Sequence, residues 1–164
     1  MYKPMAIASD RGEATGMNDA TPRVRRALTQ LLEHETGAGP TTSAVAAAAA
    51  GRVLERLSER LSLVFGSIAV NALVLRAVVL SKPEFPFLGT HVVPLVRGEG
   101  VGEALRTCLH EQEPEVIKEA SVTILVTVMS LLVRALGERL TWSLLMQAWP
   151  DVLPPESESQ EDAE

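Results

Sequence analysis

Val122 to Leu136 reads VTILVTVMSLLVRAL, an apolar stretch with no acidic residue and a single late charge, Arg134. A second stretch, Leu61 to Leu80, reads LSLVFGSIAVNALVLRAVVL and also carries a single charge, Arg76. Neither shows the polar face of a surface helix, so both must be shielded from water. The expected fold is therefore all-α: a single helical bundle of five to seven helices around two apolar central helices. A spanning helix needs about 20 apolar residues. Each stretch offers roughly a dozen before a polar or charged residue intervenes, the length of a buried core helix, so membrane insertion is disfavoured.

Punctuation residues set the expected boundaries. Residues 1–20 lack periodicity and read as a disordered leader. Thr21-Pro22 opens a helix carrying Val24, Ala27, Leu28, Leu31 and Leu32 at helical spacing, and Gly37 stops it. Thr42 or Ser43 caps the next, whose Val45–Ala50 segment is nearly all alanine. Gly66 bends or ends that helix. Pro83, Pro86 and Pro94 forbid a continuous helix over 82–100. A short helix follows over Glu103–Gln112, then a long one from Pro114 to Leu136, and a last one over Glu138–Trp149. The bundle thus occupies 21–150, and residues 151–164 form a disordered acidic tail.

Aligning Gly66 with Gly137 brings Leu73, Val74 and Ala77 into step with Leu144, Leu145 and Ala148. A duplicated helix–Gly–helix unit and a chance match of two Leu-rich helices account for this equally well. The closing segment, Leu131 to Asp151, resembles the end of small helical bacterial proteins, a likeness that implies no activity.

Composition narrows function mainly by exclusion. The net charge of −6 opposes general nucleic-acid binding. The lone cysteine, Cys108, makes no internal disulfide, and no secretory h-region opens the chain, which together predict a cytoplasmic protein. The Ala, Arg, Leu and Val bias suits a GC-rich bacterial genome. No GxSxG, P-loop, GxGxxG, CxxC or HExxH is present, and RGEGVGE (Arg97–Glu103) lacks the Lys-Ser/Thr of a phosphate loop. Cys108 and His110, two apart on a helix, face different ways, while His34 and His91 stand alone, so no metal site and no catalytic residue is assigned.

Two weak constellations remain. Trp142, Leu145, Met146 and Trp149 share the last helix and suit a partner-binding stripe, for a protein partner or a second copy in a homodimer. Ser67 and Asn71, with Thr123, Thr127 and Ser130, suit either interhelical register bonds or a polar core pocket for a small-molecule ligand. Arg76 and Arg134 are expected to meet acids such as Glu99, Glu103 or Glu138. The resulting expectation is a non-enzymatic interaction or regulatory module that self-associates. A ligand-sensing bundle and a membrane-inserting bundle are the alternatives, and no cofactor is assigned.

Overall fold

A computed structural model describes residues 22–91 and 100–153. The expected leader, and the expected tail from residue 154 on, lie outside the described residues. Leu153, expected in the disordered tail, is instead buried against the bundle, its N–H donating to the Trp149 carbonyl at 3.0 Å. Six α-helices are present, with no strand among the described residues. They are α1 (22–36), α2 (Ser43–Phe65), α3 (Ser67–Ser81), α4 (Val101–Leu109), α5 (Pro114–Leu136) and α6 (Glu138–Ala148), with a 3₁₀ segment over Pro86–His91 between α3 and α4. The all-α bundle is therefore the fold of the chain.

Local chemistry accounts for the boundaries. The Val45 backbone N–H donates to Thr42 Oγ1 at 3.2 Å, capping α2. Pro114 opens α5 at a position where its missing N–H is no loss. Gly37, at φ +83°, closes α1 as its N–H donates to the Glu33 carbonyl at 3.2 Å.

The two central helices are α2 and α5; each packs on the other and on α3 and α6. The stretch Leu61–Leu80 is consequently not one central helix. It is divided at Gly66 between the end of α2 and α3. The alanines of α2, with Ala47, Ala49 and Ala50 buried, let neighbours approach it closely. The closest approach is to α4. A Cβ on Gly51 would lie 2.7 Å from the Gly102 carbonyl oxygen, and one on Gly102 would press on the Gly51 carbonyl. Glu55 of α2 also accepts the Gly102 N–H at 3.0 Å, so a side chain from a neighbouring helix satisfies the first turn of α4. Gly102, read in the sequence as part of a flexible lead-in, is thus a packing contact within the first turn of α4.

The chain repeats itself element by element. α2 and α5 each have 23 residues, and each ends at a glycine that also starts the next helix. Gly66 (φ 84°, ψ 157°) and Gly137 (φ 92°, ψ 160°) share one conformation. Their N–H groups donate to Ser62 O at 2.9 Å and Val133 O at 2.8 Å. Their carbonyls accept from Val70 at 3.2 Å and Thr141 at 3.3 Å. Shifted by the 71 residues that separate these glycines, buried positions coincide: Leu54 with Leu125, Leu57 with Val128, Leu61 with Leu132, Val74 with Leu145, Val78 with Trp149. The first helices show the same buried spacing at a different offset, 77 residues, with Val24, Ala27, Leu28 and Leu32 answering to Val101, Ala104, Leu105 and Leu109. Of the two readings of the Gly66–Gly137 alignment, a repeated unit is the one this geometry fits, and the unit contains three helices.

The halves are interleaved. α4, from the second half, lies on α2 of the first, and Ser43 Oγ donates to the Gln112 carbonyl at 2.6 Å. α1, from the first half, is tied to α5 of the second by Arg25–Glu119 at 3.0 Å and Lys118–Glu33 at 3.2 Å.

Two substitutions test this framework by chemical denaturation. Gly66→Ala has open space around its new Cβ but a backbone conformation that only glycine adopts readily, so it should lower stability by about 1–3 kcal/mol. Gly102→Ala has an ordinary backbone but no space, and should lower stability by about 2 kcal/mol or more through separation of α2 from α4. An unchanged midpoint for Gly102→Ala would contradict the described crossing.

Candidate interaction surface

The sequence-selected tryptophans stand in the core. Trp142 is 7% exposed, with the Arg23 guanidinium 4.6 Å from its ring centre, and Trp149 is 2% exposed, with Arg56 at 5.7 Å. Leu145 is fully buried and Met146 half-buried. The stripe Trp142, Leu145, Met146 and Trp149 therefore packs mostly on the protein's own bundle and is not a surface open to a partner in this conformation. The reason is that α6 takes the place in the second half that α3 takes in the first, and its apolar side closes over α5 and α2. Trp149 Nε1 is buried with no hydrogen-bond partner among the described residues.

The five polar candidates do not converge on a cavity. Ser67 is exposed, while Asn71, Thr123, Thr127 and Ser130 are half-buried at the bundle surface. Thr127 Oγ1 donates to the Thr123 carbonyl at 2.8 Å, the local backbone bond that threonines in helices commonly make. The buried hydroxyls are others. Ser81, Ser121 and Thr141 each donate to a carbonyl four residues earlier, at 2.8, 2.6 and 2.8 Å, whereas the buried Ser58 Oγ has no hydrogen-bond partner among the described residues.

A cavity of about 510 Å³ lies elsewhere, where the end of α1 meets the starts of α2 and α5. Leu32, Ala46 and Ile117 line its apolar part, and Glu33, Glu113, Glu115 and Lys118 its polar part, with Lys118 already paired to Glu33. It contains none of the five polar candidates.

Histidine and cysteine chemistry is equally sparse. His34 and His110 are exposed, and His110 Nδ1 lies 2.9 Å from the Thr107 carbonyl. The side chain of His91 lies outside the described residues. No group of three potential metal ligands occurs among the described residues. Cys108 is buried, and burial pushes its thiol up to about 11, which disfavours the thiolate a nucleophile needs. Arg76 and Arg134 are exposed, and among the described residues neither pairs with Glu103 or Glu138; Glu103 instead holds Arg106.

What distinguishes this surface is α3. Its buried side is Val70, Val74, Ala77, Val78 and Ser81. On the opposite side Ile68, Ala72, Leu75 and Val79 follow one another at helical spacing, flanked by Ala69, Arg76 and Leu80. Ile68 is 87% exposed, Leu80 49% and Val79 45%, and at the preceding elbow Leu63 is 81%, Val64 59% and Phe65 37% exposed. The repeat supplies the comparison. Where the first elbow has Leu63, Val64 and Ile68, the second has Arg134, Ala135 and Arg139. Where α3 turns Ala72, Arg76, Val79 and Leu80 outward, the second half has Ser143, Gln147, Pro150 and Asp151. Leu140, 57% exposed, is the exception on α6.

Sequence reasoning passed over this face because the stretch is apolar on every side, and such a pattern does not say which side remains uncovered. The signal available was the Gly66–Gly137 alignment, which sets the two outer faces against each other. α5 is long and apolar enough to cross a membrane by length and composition, and half of its most apolar window is buried within the bundle. Compared with protein-family models, curated proteins and solved structures, the chain matches none.

Two measurements probe the buried groups. Because the Cys108 thiol is raised from about 9 to about 11, a thiol reagent at pH 8 should react about 100-fold more slowly with native protein than with protein unfolded in guanidinium. The folded state holds this proton more tightly, so its contribution to stability is complete below about pH 9 and fades as pH rises toward 11. At Trp149, the ring carries the packing while its N–H lacks a partner. Trp149→Ala should therefore cost about 3–5 kcal/mol, whereas Trp149→Phe should stay within about 1 kcal/mol of the parent in urea melts.

Proposed function

We propose that the protein is a non-enzymatic interaction module of the bacterial cytoplasm that docks a protein partner on the outer face of α3 and the adjoining Gly66 elbow. The observation that carries this reading is the contrast between equivalent positions. The second half builds the same elbow with Arg134 and Arg139 where the first has Leu63 and Ile68. The elbow conformation thus does not require large apolar groups there, and exposing them to water carries a solubility penalty unless something covers them. The face combines a contiguous apolar centre with one cation, Arg76, the composition of a docking core more than of a solvated helix.

The test uses a photoreactive amino acid in cells. Placed at Ile68, it should yield discrete covalent adducts of higher mass; placed at Ser143, the corresponding position to Ala72 on α6, it should not. Equal labelling from both positions, or none from Ile68, would count against the docking face.

A further inference from the structure

We infer that the α3 face is self-complementary and that its occupant is a second copy of this chain, packed antiparallel about Ala72. The inference rests on the docking reading above and specifies the partner. Along the exposed face, Ile68 and Arg76 lie four residues on either side of Ala72. Ala69 and Leu75 lie three residues on either side of it. A two-fold axis through Ala72 therefore sets Ile68 of one copy toward Arg76 of the other, and Ala69 toward Leu75, while Val64 and Phe65 belong to the end of α2 beyond the elbow. An isologous interface needs this kind of self-matching order. The small side chain of Ala72 at the axis permits the roughly 8–10 Å separation at which helices pack.

Area and charge agree with that occupant. The six large side chains from Leu63 to Leu80 expose on the order of 600 Å² of apolar surface, close to the roughly 800 Å² that each partner contributes to a standard interface. In the antiparallel arrangement the two Arg76 residues stand eight positions apart along the axis, about 12 Å. That exceeds the Debye length of about 8 Å in physiological salt, so their repulsion is largely screened. Each Arg76 lays its aliphatic stem beside Ile68 of the other copy and keeps its guanidinium in water. A lipid surface fits less well. The net charge of −6 opposes an anionic bilayer, and the one cation of the face sits within it, not along its rim.

The experiment uses the full chain. Light scattering should show a mass that rises with concentration from 17.6 kDa to twice that value. Ile68→Arg, which copies the residue of the second elbow, should weaken association at least 100-fold with an unchanged circular dichroism spectrum of the folded protein. Ala72→Cys should form an intermolecular disulfide under mild oxidation, since a residue on the axis meets itself. Ile68→Cys and Arg76→Cys should crosslink poorly alone and efficiently when mixed. A dimer that Ile68→Arg dissociates but Ala72→Cys does not trap would overturn the antiparallel register. A monomer at all concentrations, together with heterologous adducts at Ile68, would remove the second copy and leave the docking face intact. Flotation with phosphatidylserine vesicles that Ile68→Arg abolishes would overturn the inference in favour of lipid.

Discussion

Two glycines held at φ near +90° with extended ψ are the constraint on which this bundle depends. Each ends a 23-residue central helix, some 34 Å long, and starts the next without an intervening loop. Few residues other than glycine occupy that backbone region without strain. The elbow closes hydrogen bonds on both sides, with the glycine N–H used by the helix before it and the glycine carbonyl by the helix after it. Neither α3 nor α6 has a side-chain N-cap, and the first-turn N–H groups of both belong to exposed residues, 67–69 and 138–140, where water can serve them. Direction follows from the same geometry: both α3 and α6 fold back onto the central helices, and the residues four, eight and eleven positions beyond each glycine become core.

Much of this was legible in the sequence because it is written in local chemistry. Gly37, Thr42, Pro114 and Gly137 each act through their own backbone or side chain, and the helix boundaries fall where those residues place them. The division at Gly66 was legible as an interruption, but not its consequence. An interrupted apolar run reads equally as one bent buried helix or as two helices with different surroundings, and periodicity does not choose between them. The α2–α4 contact was hidden for a related reason. Gly51 lies in a run of helix-forming residues, and Gly102 in a run that reads as flexible; only their juxtaposition shows that both are kept small by a neighbouring backbone.

The candidate site fared worse, for a physical reason that can be named residue by residue. Trp142 and Trp149 are large and amphipathic, which suits an interface and a core equally. Their burial is decided by α6 closing over α2 and α5, a long-range fact with no local mark. The hydroxyls of Thr127, Ser121 and Thr141 are satisfied by their own helices, so their presence inside an apolar run indicates neither a pocket nor a partner. Ile68, by contrast, looks like an ordinary core residue in sequence and is among the most exposed apolar side chains of the described structure.

A repeated fold turns this difference into an internal comparison of unusual directness. Buried positions of the two halves stay apolar within the shared geometry: Leu54 is kept as Leu125, Leu57 answers to Val128 and Val74 to Leu145, while Val78 answers to the much larger Trp149. Outward positions are released from that constraint, and ordinarily drift toward polar residues, as Arg139, Ser143, Gln147 and Asp151 have. The first half has kept Ile68, Ala72, Val79 and Leu80 at the matching places. Packing within the chain covers about half of Val79 and Leu80 but little of Ile68, which is 87% exposed. Helix propensity does not account for them either, since isoleucine and valine are poorer helix formers than the glutamine or arginine that would serve there. The docking role proposed above is the reading that this asymmetry between the two outer faces supports.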